Sequence, residues 1–207
     1  MNHAMPKTLK ELVAGYQLFR EKYASEGNAF MKDLSEKGQA PETIVVACCD
    51  SRVDPALLLQ CDPGDLFIVR NVANIVPPCE HDALHHGTSA ALEFGVCYLK
   101  AKNLIILGHS QCGGVEARLN KENLKQDDFI SNWTVQIEAE DREACTVDGC
   151  AKTSLINSYR NALSFPWIRE RVDCGEFSVH AWFFHIGEGK LYAYDESKGA
   201  FSPLEQL

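Results

Sequence analysis

The 207-residue chain is 45% hydrophobic and 24% charged, with 29 acidic residues against 20 basic ones and a formal net charge of −9. That length and composition suit one domain with a sizeable core, and scattered Lys and Arg in an acidic chain exclude a nucleic-acid footprint. No stretch approaches the ~20 apolar residues of a membrane span, and "MNHAMPKTLKELVAG" has no apolar run to serve as a secretion signal, so a cytoplasmic protein without membrane association is expected. From the N-terminus, "KTLKELVAGYQLFREKYAS" (7–25) sets Leu9, Leu12, Val13, Tyr16, Leu18 and Phe19 largely at helical spacing, and a short helix over 28–37 stops at Gly38. "TIVVAC" (43–48) and "DLFIVR" (65–70) read as strands with the turn signal "DPGD" between them. "HHGTSAALEFGVCYLKAK" (85–102) reads as a helix, "NLIILGH" (103–109) as a third buried strand, and "SQCGGVEARLN" as a turn into a helix. Helices follow over 127–142 and 147–173, the latter broken or restarted at Pro166, and "SVHAWFFHIGEGKLYAYD" (178–195) reads as two strands joined around Gly187 and Gly189.

Short unbroken apolar strands alternating with helices predict an α/β fold. The expected sheet is mainly parallel, with about four strands, an antiparallel edge strand and flanking helices. No repeat or linker divides the chain, so 1–207 reads as one domain, a helical arm (1–38) followed by an α/β core (39–207). In such sheets functional groups gather beyond the carboxyl ends of the strands.

The strand 43–48 ends in "CCDSR" and the strand 103–109 in "HSQC", so parallel pairing would bring both to one edge. His109 and Cys112, together with one cysteine of the first strand, make a Cys2His donor set. Three protein ligands around zinc leave a fourth position open, the mark of a catalytic rather than a structural site. An Asp–Arg pair beside thiolates is hard to explain as packing. Nine cysteines, an odd count without a secretion signal, argue for reduced thiols rather than a disulfide framework. Cys61, Cys97 and Cys174 read as small packed side chains.

Taken together, "CCDSRVDP", "GDLFIVRNVANIVPP", "HHGTSAALEFGV" and "GHSQCGGV" resemble the β-class carbonic anhydrases, in the plant-type subgroup, over roughly residues 35–120. In that family the first motif reads Cys-x-Asp-Ser-Arg, so the resemblance places Cys48 at the ligand position and Cys49 at the variable one. It implies one Zn2+ per subunit held by Cys48, His109 and Cys112, with Asp50 and Arg52 as the catalytic dyad. It implies substrate contacts from Gln39, Phe67, Val72 and Gly113, and from Phe94, where plant-type members usually carry tyrosine. The implied activity is zinc-dependent, reversible hydration of carbon dioxide to bicarbonate and a proton, in a homodimer or homotetramer across which the N-terminal helix packs. Another subgroup has tryptophan three residues before the first ligand at an inhibitory bicarbonate site; this chain has Val45 there, and no such site is expected.

Two alternatives stand beside this reading: a carbon disulfide or carbonyl sulfide hydrolase on the same frame, and a non-catalytic zinc-binding module. "CEHDALHH" offers Cys79, His81, His85 and His86 as a second metal set, though solvated loop and helix-start residues fit it better. "CTVDGC" (145–150) is a weak metal or redox motif, "GEGK" (187–190) reads as a turn, and His180 and His185 as core or interface histidines.

Overall fold

A computed structural model of the chain describes residues 6–80, 85–125, 127–138 and 146–204. They fall into two compact units, Met1–Gln39 and Ala40–Leu207.

In the first unit, α1 (Leu9–Tyr23) begins with a capping box: the Thr8 hydroxyl accepts from the Glu11 N–H, and the Glu11 carboxylate accepts from the Thr8 N–H. A shorter helix, α2 (Phe30–Lys37), ends at Gly38, whose φ of 74° suits glycine alone among common residues. No residue of α1 is buried, and Leu9, Leu12, Val13, Tyr16 and Leu18 are each more than half exposed.

The second unit is built on a six-stranded sheet in the order β2-β1-β3-β4-β5-β6. Its strands are β1 (Thr43–Cys48), β2 (Leu66–Asn71), β3 (Asn103–His109), β4 (Ser178–His185), β5 (Lys190–Asp195) and β6 (Ala200–Pro203). The first four pair in parallel and the last two antiparallel. The sheet therefore has the mainly parallel body and antiparallel edge that the sequence predicts. Ile44–Ala47 of β1 have no exposed surface, which explains their unbroken apolar run: both faces of the strand are covered.

The connections carry α3 (Pro55–Leu58), α4 (Gly87–Glu93), α5 (Gly113–Leu119), α6 (Phe129–Thr134), α7 (Val147–Ala162) and α8 (Pro166–Asp173). Asp54 starts α3 by accepting from the N–H groups of Ala56 and Leu57, with Pro55 in the first turn. The single helix expected over 85–102 is α4 followed by a π-turn at Phe94–Tyr98, closed by the Leu99 N–H donating to the Phe94 carbonyl. Of the helix expected over 127–142, the described residues keep α6, and 139–142 lie outside the described residues. Pro166 starts α8, as its fixed φ allows. Both α3 and β6 escape a periodicity reading because four residues are too few to show a period.

The main core lies between the sheet and its helices and joins Ile44, Val46, Leu104, Ile106, Leu155 and Phe183 with the ligand candidates Cys48 and Cys112. Cys97 packs against it, Cys61 is half-buried and Cys174 is exposed. Cys150 is disulfide-bonded, an exception to the expectation of reduced thiols.

After β2 the chain turns through Val72–Asn74, where Ala73 (φ 64°) and Asn74 (φ 47°) both adopt left-handed backbone. Asn71 holds this turn, its side chain accepting from the Ile75 N–H and donating to the Ile75 carbonyl, both at 2.8 Å. Helix α5 is seated against it so closely that a Cβ on Gly114 would stand 2.6 Å from Val72 Cγ1 and 3.1 Å from Ala73 Cβ. A Cβ on neighbouring Gly113 would meet nothing within 4 Å. Gly114→Ala is therefore expected to destabilise the protein by about 1–3 kcal/mol, and Gly113→Ala to leave the denaturation midpoint near wild type. Equal midpoints for the two variants in urea unfolding would contradict this packing argument.

Candidate metal centre

Parallel pairing aligns Thr43 with Asn103 and Ala47 with Leu107, so β1 and β3 finish together at the same edge. Cys48 is the last residue of β1 and His109 the last of β3. Cys112 follows at the N-cap of α5. The donor atoms of these three buried residues lie within 4.8 Å of one another, and the two Sγ atoms are 4.0 Å apart. Cys49 is exposed while Cys48 is buried, as alternation at a strand end requires.

The three side chains fit a zinc ion. The imidazole of His109 is fixed through Nδ1, which is 2.9 Å from the Ser110 carbonyl, so Nε2 faces the thiols. Nε2 is buried without a hydrogen-bond partner of good geometry, an orphaned donor-acceptor that a metal would satisfy. A hydrogen bond from Cys112 holds the Cys48 thiol down to about 4 despite burial, helped by His109 and by the N–H groups of Asp50 and Ala73. The same bond pushes Cys112 far up, reinforced by burial and the Cys48 charge. For His109 burial acts downward, yet the Cys48 thiolate beside it prevails and the net shift is upward. A thiolate whose charge opposes ionisation of the thiol 4.0 Å away is what a divalent cation relieves, since it displaces the proton and binds both sulfurs.

Asp50 and Arg52 stand on the turn after β1. Arg52 donates from Nε to Asp50 Oδ1 at 2.9 Å and from Nη2 to Oδ2 at 2.7 Å, a bidentate pair, while its own N–H donates to Oδ1 at 2.9 Å. Those bonds hold the Asp50 carboxyl down to about 2.

Two further residues join this frame whose roles the sequence reading did not assign. Arg70 on β2 donates from Nε to the Cys48 carbonyl, from Nη2 to the Asp50 carbonyl and from Nη1 to Asp54, at 2.7–2.9 Å. Gln111, between His109 and Cys112, accepts from Arg52 Nη2 through its carbonyl at 3.1 Å. Position alone could have pointed to Arg70: in the motif "IVRNVAN" a charged side chain sits near the end of an otherwise apolar strand.

The remaining candidates are spread more widely. Val72 packs on the metal turn and, with Cys49, Asn71, Phe129, Ile130 and Trp133, lines an apolar groove of about 560 Å3. Gly113, exposed, opens α5 directly after Cys112. Phe67 pairs with Ile44, four residues before the Cys48–Asn71 level, which separates it from the ligands by roughly 13 Å along the strand. Its ring meets Phe94 at 6.0 Å, and Phe94 stacks on Tyr98 at 5.7 Å, forming a half-exposed aromatic patch away from the ligands. Gln39 belongs to the N-terminal unit. In the second metal set Cys79 is half-buried and His85 exposed, while His81 lies outside the described residues; among the described residues only Cys48, His109 and Cys112 form a metal-competent group.

The carbonic anhydrase family model matches residues 43–191. A carbonic anhydrase of Synechocystis is 32% identical over 198 residues, covering 90% of this chain and 71% of that protein. The chloroplastic beta carbonic anhydrase 5 of Arabidopsis thaliana is 38% identical over 75% of this chain, which spans 54% of that longer protein. The solved structure of the beta-carbonic anhydrase CcaA superposes with a TM-score of 0.81 at 31% identity, over 96% of this chain and 92% of that one. A tetrameric beta-carbonic anhydrase from Sordaria macrospora superposes with a TM-score of 0.70 at 27% identity, over 93% and 94% of the two chains.

Because Arg70 grips the backbone on both sides of Cys49, its loss should loosen the metal rather than the fold. Arg70→Ala is expected to speed zinc loss to a chelator about 10- to 100-fold; a wild-type rate would show that the grip is idle.

Proposed function

The chain belongs to the β-class carbonic anhydrase family, and from that premise we propose how its reaction, the zinc-dependent reversible hydration of carbon dioxide, is divided among its residues. Cys48, His109 and Cys112 hold one zinc ion per subunit, and Asp50 with Arg52 form the catalytic pair. The observation that carries this reading is the convergence of three buried donors beside a carboxylate held ionised by a bidentate arginine.

Zinc in such a site supplies hydroxide near neutral pH by lowering the pKa of a water, an effect that two thiolates in the donor set temper. Asp50 keeps its charge and accepts a hydrogen bond from the nucleophile, aiming a lone pair at carbon. Arg52 fixes that carboxylate by two bonds and keeps it away from the metal. Val72 and the groove beside it give the nonpolar substrate an apolar approach, and Gly113, exposed at the first position of α5, offers its N–H to a product oxygen. Gln39, Phe67 and Phe94 keep the substrate contacts that the family resemblance implies; Phe67 and Phe94 stand away from this subunit's own ligands, so in this reading they serve the site of a partner subunit.

The chain acts, in this reading, as one catalytic domain with an N-terminal arm, assembled as a homodimer or homotetramer. The exposed apolar side chains of α1 and the Phe67–Phe94–Tyr98 patch support assembly. No described helix is long and apolar enough to cross a membrane; among the described residues seven cysteines keep their thiols against one that is disulfide-bonded, Cys150, and on that balance we place the protein in the cytoplasm.

Stopped-flow carbon dioxide hydration on the zinc-loaded protein tests the reaction, and turnover is expected to rise from pH 6 to 9. Asp50, held to about 2, is ionised throughout that window, so the rise reports proton loss at the metal site; a flat profile would contradict the tempered donor set. Arg52→Ala is expected to free Asp50 to ligate the metal, lowering turnover by about 100-fold or more. A zinc-loaded structure of that variant with water still in the fourth position would refute the restraining role of Arg52.

A further inference from the structure

Gln111 is the hinge of the link between His109 and Cys112, and it sits in left-handed backbone at φ 55°, a conformation that a residue with a Cβ does not hold unaided. Its carbonyl accepts from Arg52 Nη2 at 3.1 Å, and its side-chain oxygen stands 3.5 Å from Arg52 Nη1. Its N–H donates to Asp148 Oδ1 at 2.7 Å. Asp148 lies in the first turn of α7, 37 residues further along the chain, and that helix is anchored on β3 and β4. A hydrogen-bonded path therefore runs from α7 through Asp148, Gln111 and Arg52 to Asp50. The second carboxylate oxygen of Asp148 is 4.0 Å from Nε2 of His185, at the end of β4. The N-cap of α7 is Thr146, which accepts from the Gly149 N–H, so Asp148 is not needed for that bond.

We propose that Asp148 is a positioning residue for the reaction: by holding the Gln111 N–H it fixes the left-handed turn between two zinc ligands, and with it the place of the Arg52 guanidinium that aims Asp50. This rests on the division of labour given above for Asp50 and Arg52. Arg52 has two anchors, one on the carboxylate it orients and one on the Gln111 turn. Arg70 braces the main chain of Asp50 but not the guanidinium of Arg52, which only the second anchor ties to α7, so without Asp148 the Asp50–Arg52 side-chain pair stays bonded but shifts as a unit. Such drift would lower the rate of the chemical step and leave substrate entry alone.

The test compares Asp148→Ala and Asp148→Asn with wild type as full-length, zinc-loaded protein, with turnover expressed per bound zinc and amide exchange at Gln111 followed by NMR. Asp148→Ala is expected to lower kcat about 10-fold, with KM within about 2-fold, and to speed Gln111 exchange at least about 10-fold. Asp148→Asn keeps Oδ1 as an acceptor and is expected to retain about half or more of kcat and most of the protection. Wild-type kcat per zinc in Asp148→Ala overturns the proposal, as does a melting-temperature loss with kcat per zinc and Gln111 exchange intact. A fall in Asp148→Asn as deep as in the alanine variant overturns it too. Should the alanine variant not fold, the Gln111→Gly background decides. Glycine holds φ 55° without help, so there the further loss from Asp148→Ala should shrink below about 3-fold; an undiminished loss overturns the proposal. A wild-type protein without carbon dioxide hydration would instead refute the assigned reaction, while the exchange data would still judge the bond to Gln111.

Discussion

The parallel pairing of β1 with β3 is the constraint on which the site depends. It brings Cys48 and His109, 61 positions apart in number, to one sheet edge, and it does so with backbone bonds laid down far from the metal. Because both strands are apolar and buried between their first and last residues, neither can slide in register without parting the ligands or stranding an aliphatic side chain in water. The register is therefore protected by the same burial that makes it stable. Cys112 adds the third donor through a two-residue link that needs Gln111 in left-handed backbone, and the 72–74 turn against which α5 rests is left-handed as well. Strain is thus concentrated in the two loops that flank the donors, while the strands beneath them are regular.

Charge follows the same economy of placement. Two sulfurs and one imidazole are buried beside a partly exposed carboxylate, and the protein meets that negative load with two arginines used differently. Arg52 takes the carboxylate directly, through a fork that matches its two oxygens. Arg70 instead grips main-chain carbonyls and Asp54, so it braces the turn without competing for the thiols. The sulfurs are left with only each other, His109 and a few backbone N–H groups, and that shortfall of positive charge suits a divalent ion.

Much of this was legible in the sequence because the informative residues are local. "TIVVAC" and "NLIILGH" declare buried strands by composition, and the reactive residues sit at their final positions, where a topology rule says to look. What escaped is non-local. Arg70 is an ordinary strand-end arginine until its fork is seen on two carbonyls, and Gln111 looks like a filler residue until its φ is known. The π-turn at Phe94–Tyr98 interrupts a pattern that periodicity reads as one helix, because a single extra residue per turn barely shifts an apolar stripe. Helix α6 ends early because Val135, 60% exposed, lies beyond the packed face that would sustain another turn.

The spacing of the donors along the chain has one more consequence. Cys48 and Cys112 are 64 residues apart, so of this donor set an unfolded chain keeps only His109 and Cys112 close together. Affinity is created by folding, and by linkage the same free energy returns as resistance to unfolding. Above its dissociation constant, each tenfold rise in free zinc adds about 1.4 kcal/mol to the stability of the native state. The transition temperature of this protein is therefore a property of its medium as well as of its sequence. In a zinc-starved cell the same chain becomes a less durable molecule, and its lifetime, not only its turnover, is set by metal supply.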